Sequence, residues 1–391
     1  MKSEISNQKS KISNHKPKIK VGVIFGGRSA EHEVSLVSAT AVMNALDKKK
    51  YEVIPIGITR DGKWMSSEKV MTILKERQWV VNEAVQILLP DPSYHGLVGV
   101  YGEFYPPMVS QVDVIFPVLH GAFGEDGTMQ GLFELANIPY VGAGVLGSSV
   151  GMDKIISKQL FEQAGIPVAP YVCFLSKEFR TKSEHLIKEV ETKLPYPYFV
   201  KPANSGSSVG ISKAHDRKEL LVAIKLAMKY DRKILVEKGI EQAREIEISV
   251  LGNDEPLASV PGEIISSNEF YDYDAKYVDG KSKEVIPAKL PKSVANKIQG
   301  LAIRGFKAID CAGMARVDFL VEKATNRFYL NEINTIPGFT SISMYPKLWQ
   351  ASGISYSKLL DKLIGLAFER HRQKSKLTTL FQPKEKWFQK S

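Results

Sequence analysis

The sequence has few cysteines and no long hydrophobic run. Only Cys173 and Cys311 occur in 391 residues, and they lie far apart. Two distant cysteines argue against a disulfide scaffold or a cysteine-rich zinc site, and they are typical of a protein of the reducing cytoplasm. No apolar run approaches the ~20 residues of a membrane-spanning helix, and the first residues lack the apolar core of a secretory signal peptide. We therefore expect a cytoplasmic protein with no membrane partner.

Basic charge is concentrated at the two ends of the chain. The formal net charge is +10, but residues 1–20 contribute +5 and residues 370–391 contribute +6, which leaves −1 for residues 21–369. A nucleic-acid groove needs Lys and Arg clustered on the folded body. The sequence therefore predicts no nucleic-acid partner. Two solvated basic tails are the simpler interpretation, and a weak contact of these tails with a polyanion stays open.

Strands and helices alternate in the first part of the chain. An apolar run at 19–25 ends at two glycines and is typical of a buried strand. Ser29 can cap a helix that is predicted over 30–47. Further strands are predicted at 53–58 and 112–119, followed by a helix over 127–137. Such alternation predicts a parallel sheet, here in a first domain.

The pattern becomes richer in strands after residue 144. We predict helices over 153–166, 216–230, 293–309 and 357–371. We predict strands at 198–202, 209–213, 234–237, 245–251, 316–321 and 328–332, the last two as an antiparallel pair. Residues 266–287 form a long polar, tyrosine-rich stretch without a period. A loop of this length inside a compact domain is usually functional.

Three short patterns resemble motifs of other enzyme classes. Residues 142–147 match G-x-G-x-x-G, but the nearest acid, Glu162, lies inside a predicted helix, which disfavours nicotinamide binding. Residues 147–151 and 206–210 both match G-x-S-x-G. The second lies between two predicted strands rather than before a helix, which disfavours a serine hydrolase. No Walker A motif is present, so a nucleotide site must be of another kind.

Two segments, one acidic and one rich in glycine and serine, are candidates for ligand binding. Glu31 follows the first strand at the carboxyl edge of the predicted sheet, where ligands bind; it is suited to an ammonium group, although ordinary helix capping is the alternative. Lys201 precedes a Gly/Ser loop, 203–208, that can cradle phosphate or can be a plain hairpin loop.

Three oxygen-bearing side chains lie on the predicted antiparallel pair. Asp318 and Glu332 are on the two strands, and Asn334 shares a face with Glu332 by strand periodicity. Such ligands suit Mg²⁺ shared with phosphates and not zinc; a surface Asp–Arg pair beside a turn is the alternative. The aromatic and charged segment 270–277 suggests a lid.

Taken together, these segments resemble the D-alanine–D-alanine ligase family of the ATP-grasp superfamily. The resemblance covers about residues 20–370 and rests on motifs in the family's order and spacing: Glu31-His-Glu-Val-Ser, Lys201-Pro with Gly206-Ser-Ser-Val-Gly210, Tyr271-Asp-Tyr-Asp-Ala-Lys-Tyr277, Arg316-Val-Asp318 and Asn331-Glu-Ile-Asn-Thr-Ile-Pro-Gly338. It implies ATP-dependent ligation of two D-alanines through a D-alanyl phosphate, for peptidoglycan synthesis. It also implies two Mg²⁺ (or Mn²⁺) ions and a homodimer formed through the first domain.

The implied fold is α/β, a three-domain ATP-grasp ligase with an N-terminal parallel α/β domain and two antiparallel-sheet lobes that clamp ATP. We expect a disordered basic arm at 1–18, the N-terminal domain at 19–143, a central lobe at 144–238, a C-terminal catalytic domain at 239–371 and a basic tail at 372–391.

The resemblance also implies a role for each matching residue. Glu31, Ser207 and Tyr277 would form a hydrogen-bonded triad that orients substrate and closes the lid. Arg316 and the Gly338 N–H would form an oxyanion hole. The expected substrate contacts are Glu31, His120, Ser343 and Met344. The expected ATP contacts are Lys154, Lys201, Ser207, Ser208, Glu237, Glu245 and Lys276. The expected metal ligands are Asp318, Glu332 and Asn334.

Two other functions remain open at this point. Related ligases make D-alanyl-D-lactate or D-alanyl-D-serine; the tyrosine at 277 goes with D-alanine in the family, and Met344 beside Ser343 would line the pocket for the second substrate. A basic nucleic-acid-binding protein on a degenerate ligase fold is the alternative from another class. The near-neutral body and the complete metal triplet both argue against it.

Overall fold

A computed structural model describes residues 17–67, 69–76, 85–100, 108–240, 242–265 and 283–379. The predicted arm before residue 17, the whole of the predicted lid at 270–277 and the tail from residue 380 lie outside the described residues. The described helices are α1 (His32–Ala45), α2 (Val70–Glu76), α3 (Thr128–Leu135), α4 (Val145–Met152), α5 (Lys154–Gln163), α6 (Ser176–Lys193), α7 (Arg217–Ala227), α8 (Lys292–Ala308), α9 (Met344–Ala351) and α10 (Tyr356–Ser375).

The strands of the described residues form three sheets. The first contains β1 (Ile19–Gly26), β2 (Tyr51–Ile58), β3 (Trp64–Met65), β4 (Val85–Leu88), β5 (Gly96–Val100), β6 (Met108–Gln111) and β7 (Val114–Val118). The second contains β8 (Tyr171–Leu175), β9 (Tyr198–Pro202), β10 (Ser212–Ala214) and β11 (Lys233–Lys238). The third contains β12 (Ala243–Gly252), β13 (Leu257–Ala258), β14 (Gly262–Ile265), β15 (Lys283–Val285), β16 (Gly313–Glu322) and β17 (Phe328–Asn334).

The first sheet is mixed and not wholly parallel. Its order is β6-β5-β4-β3-β2-β1-β7, and only β1 pairs in parallel, with β2 and with β7. The three strands predicted in this domain are therefore parallel as expected, whereas β3 to β6, which were not predicted, pair antiparallel. The segment 59–63 between β2 and β3 is too short for a parallel crossover, which needs a dozen or more residues.

Strand β1, which lies between β2 and β7, is buried on both faces, which explains its continuous apolar run. Val21, Val23 and Phe25 belong to one cluster and Ile24 to another, and all are inaccessible to solvent. The cluster of Val21 also contains leucines of α10. The last described helix therefore returns to pack against the first sheet.

The second and third sheets are antiparallel, with orders β10-β9-β11-β8 and β15-β14-β12-β16-β17, and β13 pairs with β12. This arrangement confirms the predicted pair of antiparallel-sheet lobes. Helices α6 and α7 cover the second sheet, and α8 covers the third. Helices α4 and α6 were not predicted from the sequence.

The bounds of two elements, the strand predicted at 209–213 and helix α1, differ from prediction. The predicted strand at 209–213 is wrong for its first half, since only Ser212–Ala214 is extended. Ser207, Ser208 and Gly210 have φ of 46°, 60° and 76°, so this segment turns instead. Helix α1 begins at His32, and Ser29 accepts a bond from the Glu31 N–H instead of capping the helix. None of the helices in the described ranges combines the length and apolar character of a membrane span.

Candidate active site

A cavity of about 1510 Å³ lies between the second and third sheets and is bordered by the first turn of α1. The predicted site residues that line it come from the second and third sheets, from helices and loops beside them, and from the segments that follow β1 and β7: Glu31, His120, Lys154, Lys201, Ser207, Ser208, Glu237, Glu245, Arg316, Asp318, Glu332, Asn334, Gly338, Ser343 and Met344. Lys276 and Tyr277 lie outside the described residues. Within the described part of the chain, the fold thus brings every predicted site residue to one cavity.

Glu31 joins the first sheet to the Gly/Ser loop. The Ser207 hydroxyl donates a hydrogen bond to Glu31 Oε1, and Glu31 is only 8% exposed. The Glu31 side chain makes no capping bond to α1, so the alternative of ordinary capping is wrong. A Cβ at Gly121 or Gly206 would lie 2.8 or 3.0 Å from Glu31 Oε2, which explains the need for glycine on both sides of this carboxylate.

His120 is a buried, neutral imidazole at the same end of the cavity. Its Nδ1 lies 3.0 Å from the Ile336 carbonyl oxygen and its Nε2 lies 3.3 Å from the Ser38 hydroxyl. Burial lowers the pKa of His120, although Glu31 opposes this shift. The ring is therefore held in one orientation and carries no charge near neutral pH.

Glu125 is a second carboxyl near Glu31 that sequence analysis missed. It is 8% exposed and accepts a hydrogen bond of 2.9 Å from the Gly121 N–H. Burial, and then the charge of Glu31, raise the pKa of Glu125 well above its usual range. Since its position depends on the turn that follows His120, only the loop composition could have suggested it.

Three buried charged side chains on β9, β11 and α5 contact one another beside the cavity. Lys201 Nζ lies 2.6 Å from Glu237 Oε2 and 3.2 Å from Asn331 Oδ1, and Lys158 Nζ pairs with Glu237 Oε1. Burial opposes the charge on Glu237, but the two lysines more than offset it and lower the pKa of Glu237. Sequence analysis missed Lys158, although its spacing of four from Lys154 places both on one face of α5.

Lys154 lies between the Gly/Ser loop and the third sheet. Its Nζ donates a hydrogen bond of 2.7 Å to the Ser205 carbonyl and lies 3.7 Å from Glu332 Oε2. Two lysines and a turn with left-handed backbone therefore border the same part of the cavity. Such an arrangement can bind phosphate through point charges and backbone N–H groups.

The predicted metal ligands lie side by side on β16 and β17. Asp318 is directly opposite Glu332, and Arg316 is directly opposite Asn334. Arg316 donates to both Asp318 oxygens, with Nε–Oδ1 of 2.8 Å and Nη2–Oδ2 of 2.6 Å. This pair is largely buried, with side chains 18% and 15% exposed, and not on the surface.

The donor set fits a magnesium ion that shares phosphate oxygens. Two carboxylates and one amide supply only oxygen, and Mg²⁺ is usually bound by one or two carboxylates, water and substrate phosphates. Among the described residues, no group of three His, Cys, Asp or Glu side chains forms a complete metal site. Water and phosphate oxygens would complete the coordination.

The loop before α9 borders the third-sheet side of the cavity. Ser343 is the N-cap of α9, and its hydroxyl accepts a hydrogen bond of 3.0 Å from the Thr340 N–H. A Cβ at Gly338 would lie 2.8 Å from the Ser343 hydroxyl, so the backbone approaches closely here. Met344 is 6% exposed and packs with Ile264 and Leu348. A helix N-terminus beside a cavity favours an anionic ligand.

Two family models match most of the chain. The model described as D-ala D-ala ligase N-terminus matches residues 20–143, and the model described as D-ala D-ala ligase C-terminus matches residues 160–365. A D-alanine–D-alanine ligase of Caldicellulosiruptor bescii is 54% identical over 360 residues, which cover 92% of this chain and 98% of that protein. One of Chloroherpeton thalassium is 51% identical over 369 residues, with 91% and 98% covered.

Solved structures of similar proteins have the same fold. The VanG D-Ala:D-Ser ligase of Enterococcus faecalis superposes with a TM-score of 0.80 at 40% identity, and 90% of this chain and 100% of that chain are covered. The D-alanine–D-alanine ligase of Coxiella burnetii superposes with a TM-score of 0.77 at 36% identity, with 92% and 96% covered.

Proposed function

Because this chain belongs to the D-alanine–D-alanine ligase family, we propose that it uses ATP to join two D-alanines into the dipeptide for peptidoglycan synthesis. The observation that best supports this function is the composition of one cavity. It contains the Glu31–Ser207 pair, two lysines beside a turn suited to phosphate, and the Asp318–Glu332 pair. These groups suit an ammonium, a triphosphate and a divalent cation, respectively.

The first D-alanine would bind at the end of the cavity where Glu31 lies. Its ammonium would pair with the Glu31 carboxylate, whose position is held by the hydrogen bond from Ser207. His120, being neutral, would contact this substrate without repelling its ammonium group. The substrate carboxylate would then face the lysines, where the γ-phosphate of ATP is expected.

ATP would bind between the second and third sheets. Lys154, Lys201, Ser207 and Ser208 would contact its phosphates, together with Lys276 of the lid. Glu237 would lie near the adenine and Glu245 near the ribose. The divalent cations, which offset the charge of the phosphates, would be held by Asp318, Glu332 and Asn334.

The reaction would proceed in two steps. A carboxylate oxygen of the first D-alanine attacks the γ-phosphorus, ADP leaves, and an acyl phosphate forms. The amine of the second D-alanine then attacks the acyl carbon, phosphate leaves, and the amine loses a proton. Arg316 and the Gly338 N–H would stabilise the oxyanion of the tetrahedral intermediate. Ser343, with the N-terminus of α9 and Met344, would border the second substrate.

The relatives differ in the second substrate. The D-Ala:D-Ser ligase is 40% identical to this chain, and the D-alanine–D-alanine ligases are 51% and 54% identical. Tyr277 favours D-alanine, because a tyrosine at this lid position goes with D-alanine in the family. We therefore propose D-alanine as the second substrate.

Phosphate release from ATP and Mg²⁺ tests the function directly. D-alanine, L-alanine, D-alanine with D-lactate, and D-alanine with D-serine are compared, and the products are identified by mass spectrometry. We expect release with D-alanine alone and a D-alanyl-D-alanine product. Release that depends on D-lactate or D-serine would refute the choice of acceptor, and no release from a folded, ATP-binding sample would refute the function.

A matched pair of variants tests the ammonium contact. Glu31→Gln should raise the KM for D-alanine strongly, because the neutral amide loses the ion pair with the ammonium group. Glu33→Gln serves as the control in the same turn, since Glu33 pairs with Arg60 at side-chain exposures of 53% and 49%. Equal KM values for the two variants would remove Glu31 from the substrate site.

Family membership also supports coarser proposals. We propose domain boundaries near residues 143 and 238, which separate the three sheets along the chain, with basic segments at 1–18 and 372–391 outside the catalytic unit. We further propose a homodimer and a cytoplasmic location, where two free cysteines stay reduced. Sedimentation of the purified protein measures the oligomeric state.

A further inference from the structure

A third carboxylate continues the row of proposed metal ligands across the sheet. Glu247 on β12 is directly opposite Asp318 on β16, which is directly opposite Glu332 on β17. Glu247 is 7% exposed and lines the cavity, yet none of the sequence motifs includes it. Like charges directly opposite each other destabilise a sheet, so a buried row of this kind requires a counter-charge or a function.

Arg316 supplies this counter-charge to two of the three carboxylates. It lies two residues before Asp318 on the same face of β16 and donates to both Asp318 oxygens. Its Nε also lies 3.3 Å from Glu247 Oε2. Burial opposes the charge on Arg316, but Asp318 and then Glu247 more than offset it, so the pKa of Arg316 rises well above its ordinary value. The guanidinium is thus a permanent cation between two carboxylates.

The proposed reaction makes conflicting demands on this pair. A divalent cation at Asp318 would share this carboxylate with Arg316, which donates to both of its oxygens, and the cation would repel the guanidinium. Arg316 must in turn face the oxyanion. Because a buried charge that loses its partner destabilises the protein, Arg316 needs another partner when Asp318 binds the metal. Glu247 is a buried carboxylate within 3.3 Å of the guanidinium.

We propose that Glu247 is a positioning residue that holds Arg316 when Asp318 binds the metal–nucleotide complex. Arg316 then exchanges its two-point contact with Asp318 for a contact with Glu247, and its remaining N–H groups stay directed into the cavity. This inference rests on the proposed function, since it requires the metal role of Asp318 and the oxyanion role of Arg316. The alternative, in which Glu247 itself binds the metal, is separated from it by the experiment.

The test is a double-mutant cycle between Glu247→Gln and Arg316→Met. Binding of Mn²⁺ with a non-hydrolysable ATP analogue is measured by electron paramagnetic resonance, so the readout does not depend on turnover. In the wild-type background, Glu247→Gln leaves Asp318 as the charge partner of Arg316, without Glu247. We expect Mn²⁺ to bind about tenfold more weakly there, which corresponds to about 1.4 kcal/mol. In the Arg316→Met background, we expect the same substitution to change Mn²⁺ binding less than twofold.

Kinetics provide the second readout. We expect Glu247→Gln to lower kcat at least tenfold while the KM for D-alanine changes less than threefold, because the guanidinium no longer faces the oxyanion. Glu247→Asp keeps the charge and should recover part of the lost Mn²⁺ affinity. The control is Glu263→Gln, which breaks a similarly buried pair with Arg244 in the same sheet. It should leave both kcat and Mn²⁺ binding unchanged.

The possible results distinguish the positioning role of Glu247 from the proposed function on which it rests. Equal weakening of Mn²⁺ binding in both backgrounds would make Glu247 a metal ligand and overturn the inference. Wild-type kcat and Mn²⁺ affinity in Glu247→Gln would also overturn it while leaving the proposed function intact. A wild-type protein that makes the dipeptide but binds Mn²⁺ no better than Asp318→Asn would overturn the metal assignment, and the inference with it.

Discussion

Removing the charge of Lys158 should destabilise the protein strongly although the residue touches no expected substrate. Lys158 is 1% exposed and pairs with Glu237, which is 2% exposed and also lies 2.6 Å from Lys201. In Lys158→Met the buried Glu237 carboxylate keeps one of its two cations. Breaking a buried pair by removing one partner costs about 3–5 kcal/mol. Because Lys201 remains, we expect the lower end, about 3 kcal/mol.

The loss is measured by thermal unfolding. The Tm of Lys158→Met should therefore lie clearly below that of the wild-type protein. Lys193→Met is the control, because Lys193 pairs with Glu189 at the surface, at side-chain exposures of 59% and 32%. Its free energy of unfolding should change by less than about 0.5 kcal/mol.

The double variant Lys158→Met/Glu237→Gln decides whether the reasoning is right. Replacing the carboxylate by a neutral amide also leaves the buried Lys201 without its charge partner, so the double variant should be less stable than Lys158→Met alone. If the double variant is as stable as the single one or more stable, the buried charges contribute little, and the loss in Lys158→Met comes from packing around the lysine stem. The ATP affinity of Lys158→Met should also fall, since Glu237 then draws Lys201 more strongly.

Four further predictions follow from the site. Glu332→Gln should abolish turnover by weakening Mg²⁺–ATP binding, and a wild-type rate would refute the metal assignment. Arg316→Ala should lower kcat by roughly 100-fold or more, as for loss of an oxyanion donor, and a change in KM alone would exclude it from the chemistry. The pKa of Glu125 lies well above the ordinary 4.5, so its burial destabilises the wild-type protein increasingly as pH rises above 4.5. Glu125→Gln should therefore be the more stable protein at pH 7 and lose this advantage at pH 4, whereas an equal difference in urea unfolding at both pH values would contradict the raised pKa. Deleting residues 1–18 should leave phosphate release unchanged, because this segment is polar and lysine-rich, and an inactive but folded truncation would show that it completes the site or a dimer.

Strongly patterned elements were predictable and weakly patterned ones were not. The buried strand β1 and the helix α8 have runs or periods long enough to be recognised, and both occur near the predicted positions. The strands β3 to β6 are short and lie in a segment with little alternation, so the antiparallel half of the first sheet was missed. Residues 209–211 contain a β-branched pair that suggests a strand, but the left-handed backbone of the preceding serines makes a turn.

The sequence by itself determined the family and the residues to be brought together, because these reside in motifs with characteristic order and spacing. It predicted Glu31, the Gly/Ser loop and the pair of Asp318 with Glu332 in this way. Only the tertiary structure decided which charges lie next to one another in the interior. Glu125, Lys158 and Glu247 stand in no motif, and the pKa or charge partner of each depends on residues distant in the chain. The energy of a buried charge is determined by its neighbours in space, and sequence spacing carries little of that information.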